Sequence, residues 1–101
     1  EQALAMPKLD SVAAAERFGL ACHVAQGLPV VFHIVQHAAD YRTAVESNIR
    51  AGGDSCGRAI MLGAMVAAHS ARRNSSGFPV PLPWLARYQK LTAAAEACAA
   101  L

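Results

Sequence analysis

Two strongly helical patterns of this chain meet at the short stretch Gly52-Gly53-Asp54-Ser55. Glycine adopts the left-handed backbone that ends many helices, so the pair predicts a sharp turn after Asn48-Ile49-Arg50-Ala51. Asp54 then stands where a side-chain oxygen can cap the next helix, whose apolar run extends from Ala59 to Ala68. A capping carboxylate that keeps one oxygen free can also bind a hard cation. The stretch therefore predicts a helix–turn–helix join, with Asp54 as its cap and as a candidate metal ligand.

The rest of the chain carries further helix signals separated by turn residues. Pro29 fits the first turn of a helix that follows a turn at residues 26–29, although β-branched residues leave a strand open there. Asp40 fits the N-cap of the helix that ends at the glycine pair. A proline-rich loop is expected at residues 74–83. The predicted helices cover, in approximate bounds, residues 10–23, 29–37, 41–51, 54–70 and 84–101. The pattern predicts an all-α fold.

Composition limits the classes of protein to which the chain can belong. Its 101 residues allow at most one domain, and 54% hydrophobic content is too high for a disordered segment. A net charge of +2 without a long basic stretch gives no support for a nucleic-acid partner. The longest apolar run is about half of a membrane span, so we expect no membrane association. The three cysteines have no C-x-x-C spacing and predict reduced thiols, which favours a cytoplasmic location.

The helix that follows Asp54 is apolar on every side between Ala59 and Ala68. Such a helix must be surrounded to be stable, and a chain of this length leaves much of its surface exposed. We therefore expect residues 1–101 to form a single partial domain, the C-terminal portion of a larger all-α domain. The alternative is a chain that associates tightly with another chain.

The run from Tyr41 to Ala59 resembles the C-terminal active-site segment of the ADP-ribosylglycohydrolase family. In that family a helix of the type (F/Y)-x-x-A-V-x-x-x-(I/V)-x-x-G-G-D delivers an aspartate to a dinuclear magnesium site. Two further segments are similar to the family: residues 81–85, which resemble an I-P-x-x-W element, and residues 22–29, which resemble a loop before a ligand-flanking helix. The resemblance covers about Phe18 to Leu91. It implies a larger orthogonal helical bundle, of which this chain is the C-terminal part.

The resemblance also implies an activity, a cofactor and a set of site residues. The activity is magnesium-dependent hydrolysis of a glycosidic bond to ADP-ribose, with Asp54 and Ser55 as metal ligands. His23, Gln26 and Arg58 are implied at the pocket of an ADP-ribose-like ligand; Arg58 can instead face solvent or pair with Asp54. The remaining acidic ligands of the family come from N-terminal motifs. We therefore expect the chain to be inactive alone, and its partner to be that N-terminal part or a tightly associated chain.

The sequence departs from the catalytic pattern directly after Asp54. Catalytic members continue with Thr-Asp-Thr, whereas Cys56 and Gly57 stand here in the places of the second Asp and Thr. Magnesium prefers oxygen ligands, so two metal ligands are lost. This form is more similar to the divergent branch that includes the J-type eye-lens crystallins, in which the fold outlasts clear evidence of catalysis. The alternatives are therefore a non-catalytic structural or ligand-binding relative, or an unrelated small helical interaction module.

A pair of histidines lies outside this pattern. His33 and His37 are four residues apart, which is a ligand spacing for zinc on a helix. No Glu completes an H-E-x-x-H motif and no third ligand has a suitable spacing. We interpret both as ordinary histidines on the polar face of their helix.

Overall fold

The computed structural model describes residues 2, 3, 5, 10–73 and 80–100, and its regular structure is entirely helical. The helices are α1 (Ser11–Phe18), α2 (Val24–His37), α3 (Tyr41–Arg50), α4 (Ser55–Arg73), α5 (Leu82–Ala86) and α6 (Leu91–Ala99). No strand occurs within those described ranges. The predicted all-α fold is confirmed, and the strand alternative for the second segment is wrong.

Aspartate side chains cap the starts of three helices. The sequence predicts two of these caps, Asp40 and Asp54. The Oδ1 atom of Asp10 accepts the Ala13 N–H at 2.8 Å, and that of Asp40 accepts the Thr43 N–H at 2.7 Å. The Oδ1 atom of Asp54 accepts the Gly57 N–H at 3.1 Å. Each bond satisfies a backbone donor that the first turn of a helix leaves unpaired.

The boundary between α1 and α2 differs from the prediction. α1 ends at Phe18 rather than near residue 23, because Gly19 leaves the helical region with φ +114°. α2 begins at Val24, where the His23 carbonyl accepts the N–H groups of Gln26 and Gly27 at 2.9 Å. The predicted turn at residues 26–29 is therefore wrong: the turn lies at residues 19–23, and Pro29 is inside the helix.

The C-terminal helix is also divided. Instead of one helix over residues 84–101, α5 ends where Arg87 and Tyr88 donate to carbonyls three residues back, and α6 starts at Leu91. Trp84 holds α5 against the N-terminus of α3, with an edge-to-face contact to Tyr41 at 6.2 Å between ring centroids. The Arg42 guanidinium lies 5.3 Å from the centre of the Trp84 ring. Residues 74–79 of the predicted loop lie outside the described residues.

The core lies where α1, α3 and α4 pack around α2. Its fully buried apolar side chains come from four helices: Ala15, Val30, Val31, Ile34, Ala44, Leu62 and Val66, joined by Ala51 of the turn. α4 contributes only one face to this core, since Ile60 is 79% exposed and Ala64 is also exposed. Within the described residues, α4 is therefore not surrounded in the way that its apolar sequence predicts.

Candidate functional site

The Gly-Gly turn brings the α1–α2 loop against the start of α4. Gly52 and Gly53 have φ of +69° and +62°, a conformation that strongly favours glycine. A Cβ built on Gly53 would overlap the Leu20 carbonyl oxygen and lie 2.9 Å from the Leu20 Cβ. The Asp54 N–H donates to this same Leu20 carbonyl at 3.2 Å. The close approach places residues 20–23 beside Asp54.

A buried Arg–Asn cluster fixes the two helices that flank this turn. The Nε–H of Arg58 donates to Oδ1 of Asn48 at 2.9 Å, while Nη2 donates to the backbone carbonyls of Asn48, at 3.3 Å, and of Gly52. The Asn48 side-chain amide donates to the Ser55 carbonyl at 2.8 Å. These bonds join the end of α3, the turn and the first residue of α4. The cluster therefore sets the direction in which α4 leaves the turn.

The interpretation of Arg58 as a solvent-facing residue is wrong, because only 2% of the residue is exposed. Burial lowers the pKa of Arg58, and the negative charge of Asp54 partly offsets this effect. The Nη1 atom is buried and has no hydrogen-bond partner among the described residues.

A cavity of about 220 Å³, which we call the Asp54 cavity, lies between the α1–α2 loop, the start of α2 and the first turns of α4. Its lining residues are Ala21, Cys22, His23, Val24, Gly27, Asp54, Gly57, Arg58, Ile60 and Met61. Three residues that the resemblance implies as site residues meet here: His23, Asp54 and Arg58. The cavity combines a carboxylate, an imidazole and a guanidinium, which are groups that bind cations and polar ligands.

The other implied site residues are not part of this lining. Oε1 of Gln26 accepts the Ala21 N–H at 3.0 Å, so this side chain stabilises the loop that carries His23. Ser55 contributes its carbonyl to the Arg–Asn cluster. Cys56 is exposed and free. The ligand roles of Gln26 and Ser55 stay predictions.

The Arg–Asn cluster was missed in the sequence. Asn48 was visible only as one of several residues repeating at helical spacing on an otherwise apolar face of α3. The signal that could have found the cluster is a polar residue on such a face, followed ten positions later by an arginine, with a glycine turn between the two.

The histidine pair belongs to the packing of α2. His33 is 1% exposed, so the polar-face interpretation is wrong for this residue. Its ring lies 4.4 Å from that of His37 between centroids, and Nδ1 of His37 is 2.8 Å from the His33 carbonyl oxygen. In the part of the chain that the structure describes, no three His, Cys, Asp or Glu residues come together to hold a metal ion.

The family model described as ADP-ribosylglycohydrolase matches residues 1–101, the whole chain. The chain therefore belongs to the ADP-ribosylglycohydrolase family, and the resemblance seen in its sequence is confirmed. No curated protein and no solved structure shows significant similarity to it. Among the described residues, no helix has both the length and the apolar character needed to cross a bilayer.

Proposed function

We propose that this chain forms one side of a site for magnesium-dependent hydrolysis of an ADP-ribosyl glycosidic bond, and that it is inactive by itself. The observation that carries the proposal is the meeting of Asp54, His23 and Arg58 in one cavity at the start of α4. Membership of the family supports the reaction class. In this proposal Asp54 binds the cation, whereas His23 and Arg58 contact an ADP-ribose-like ligand.

The residues present fit only part of a magnesium site. Mg²⁺ requires near-octahedral oxygen coordination, and one oxygen of Asp54 already caps α4 through Gly57. The described residues bring no further Asp or Glu into the Asp54 cavity. The described residues alone therefore do not complete a magnesium shell, which supports the proposal that the chain is inactive without further ligands. Those ligands would come from the rest of the same protein or from a tightly associated chain.

The surface around the cavity supports such a polypeptide partner. Val24 is 65% exposed and Ile60 79% exposed at the cavity wall, and Leu20 beside it is 49% exposed. The chain exposes 6990 Å² in total. A compact monomer of 10.6 kDa exposes about 5,500 Å². The difference, about 1,500 Å² on this chain alone, exceeds the roughly 800 Å² that each partner buries in a standard protein–protein interface.

A non-catalytic structural or ligand-binding relative, of the crystallin-like type, is the second candidate. It is favoured by Cys56, an exposed thiol where the catalytic pattern has a carboxylate, and by the use of Asp54 as a helix cap. Membership of the family leaves no support for an unrelated helical interaction module. A cytoplasmic location is a further proposal, and the three free cysteines support it.

Calorimetric titration with Mg²⁺, in the presence and absence of ADP-ribose, separates the two candidates when the chain is studied together with the portion or partner that supplies the remaining ligands. Asp54→Asn should weaken Mg²⁺ binding by about tenfold or more, while stability changes little because Asn also caps helices. Asp10→Asn is the matched control: it makes the same change at the cap of α1 and should leave Mg²⁺ binding unchanged. Absence of Mg²⁺ binding in the unmodified protein would favour the non-catalytic relative.

A further inference from the structure

The side chain of Gln26 reaches back from the first turn of α2 to the α1–α2 loop, residues 19–23. Gln26 is the third residue of α2, where a Gln side chain often bonds the N–H group of the residue that caps its own helix. Here Oε1 accepts the Ala21 N–H at 3.0 Å, two residues before the capping position at His23. The side chain therefore holds the loop, not only the start of the helix.

Gln26 contacts the same loop at two further points. Its own N–H donates to the His23 carbonyl at 2.9 Å. Its side-chain amide lies against Gly19, where a built Cβ would overlap Cδ and Oε1 of Gln26. Gly19 has φ +114°, a conformation that favours glycine, and its missing side chain leaves room for the amide. Gln26 thus contacts the first, the third and the last residue of the loop.

Leu20 lies between two of these contacts and carries the bond from the loop to the Gly-Gly turn. Its carbonyl accepts the Asp54 N–H at 3.2 Å, and residues 21–23 form one wall of the Asp54 cavity. Within the described part of the chain, the His23 side chain makes no capping bond to α2. The place of His23 at the cavity therefore depends on the backbone of the loop.

We infer that Gln26 is a positioning residue, which holds the α1–α2 loop against the Gly-Gly turn and thereby keeps His23 in the Asp54 cavity. Gln26 acts through the loop and does not contact the ligand, in agreement with its place outside the cavity lining. The ligand-binding half of this inference rests on the proposed function. The conformational half rests on the hydrogen bonds of Gln26 and Leu20 alone.

Amide hydrogen exchange of the full chain, followed residue by residue by NMR, tests the conformational half. Gln26→Met keeps a side chain of similar length but removes the acceptor, so the Ala21 N–H should exchange about fivefold faster. The Asp54 N–H, which Gln26 does not bond, should also exchange faster, because its acceptor on the loop is no longer held. Gln26→Glu retains an acceptor oxygen and should keep both amides protected. An unchanged exchange rate at Asp54 in Gln26→Met would overturn the inference.

The Thr43 N–H is the matched control within the same molecule. It also donates to a side-chain oxygen at a helix start, Oδ1 of Asp40 at 2.7 Å, but it belongs to α3. Its exchange rate should be the same in the unmodified protein and in both variants. An equal rise at Thr43 and Asp54 in Gln26→Met would mean that the whole fold has loosened, and the positioning role would be wrong.

Calorimetric titration with ADP-ribose tests the ligand-binding half, on the chain together with the portion or partner that supplies the remaining ligands. Gln26→Met should weaken ADP-ribose binding by about fivefold, because the loop no longer holds His23 in the cavity. Gln26→Glu should bind as the unmodified protein does, whereas a Glu in direct contact with the anionic diphosphate would repel it.

Two results would overturn the ligand-binding half. One is unchanged ADP-ribose binding by Gln26→Met. The other is a loss of binding by Gln26→Glu while its amides stay protected, which would show that residue 26 contacts the ligand directly. Absence of ADP-ribose binding by the unmodified protein would refute the proposed function, and amide exchange would still decide whether Gln26 positions the loop.

Discussion

The substitution Asn48→Ala should destabilise the protein far more than the small size of the removed side chain suggests. The substitution removes the acceptor of the Arg58 Nε–H and the donor to the Ser55 carbonyl, which lie in a buried cluster. An orphaned buried polar group costs about 1–3 kcal/mol, and because the Ser55 carbonyl is only partly buried, the substitution should cost about 1–4 kcal/mol in total. That is a large part of the roughly 5–15 kcal/mol that stabilises a typical domain. Asn48→Ala should therefore unfold at much lower urea concentration.

Urea unfolding followed by circular dichroism measures this cost. Glu46→Ala is the matched control, because Glu46 is exposed on the same helix and its loss should change stability by less than about 0.5 kcal/mol. Asn48→Ala should lower the midpoint of unfolding with little change of slope. A loss below about 1 kcal/mol would refute the view that the Arg58 cluster fixes the turn, since a buried guanidinium would then tolerate the missing acceptor.

Three further predictions concern the cap of α3, the Gly-Gly turn and the exposed apolar residues around the Asp54 cavity. Hydrogen bonds from Thr43 lower the pKa of Asp40. The cap of α3 is therefore fully effective above about pH 4, and its contribution to stability is lost as pH falls through the lowered pKa. Asp40→Asn should flatten this loss of stability in thermal melts at about pH 2–6. Gly53→Ala should destabilise more than Gly52→Ala, because a Cβ has no neighbour within 4 Å at Gly52 but overlaps the Leu20 carbonyl at Gly53; equal losses in urea unfolding would contradict this. Residues 1–101 alone should associate in sedimentation experiments, and a cooperatively folded monomer would contradict the partner proposal.

The predictions that succeeded depend on short stretches of sequence. Asp40 and Asp54 cap helices because their side chains reach N–H groups three residues ahead, so the surrounding fold hardly matters. The prediction that the first helix continues beyond Phe18 was wrong. A glycine inside a helical pattern only weakens the helix, and it is the φ of +114° at Gly19 that ends α1.

The role of Arg58 could not be predicted, because it depends on residues that the turn brings back from α3. An arginine in the first turns of a helix is usually exposed to solvent. Only the folded turn presents the Gly52 carbonyl and both oxygens of Asn48 to it. The position of His23 beside Asp54 has a similar origin, since it requires the approach of the Leu20 carbonyl to Gly53.

The geometry also explains why the catalytic pattern should be restored only by changing two residues. Cys56→Asp adds a carboxylate at the start of α4, where the helix dipole favours it but the charge of Asp54 opposes it. Gly57→Thr places a Cβ where the Asp54 carboxylate lies, so that carboxylate must shift, and the new residue supplies the hydroxyl that the catalytic pattern has there. In the full-length protein the pair together should bind Mg²⁺ more tightly than either single variant, as calorimetry would show, and should raise ADP-ribose hydrolysis above background. Tight binding of two Mg²⁺ ions and rapid turnover by the unmodified protein would refute the interpretation of Cys56 as a lost ligand.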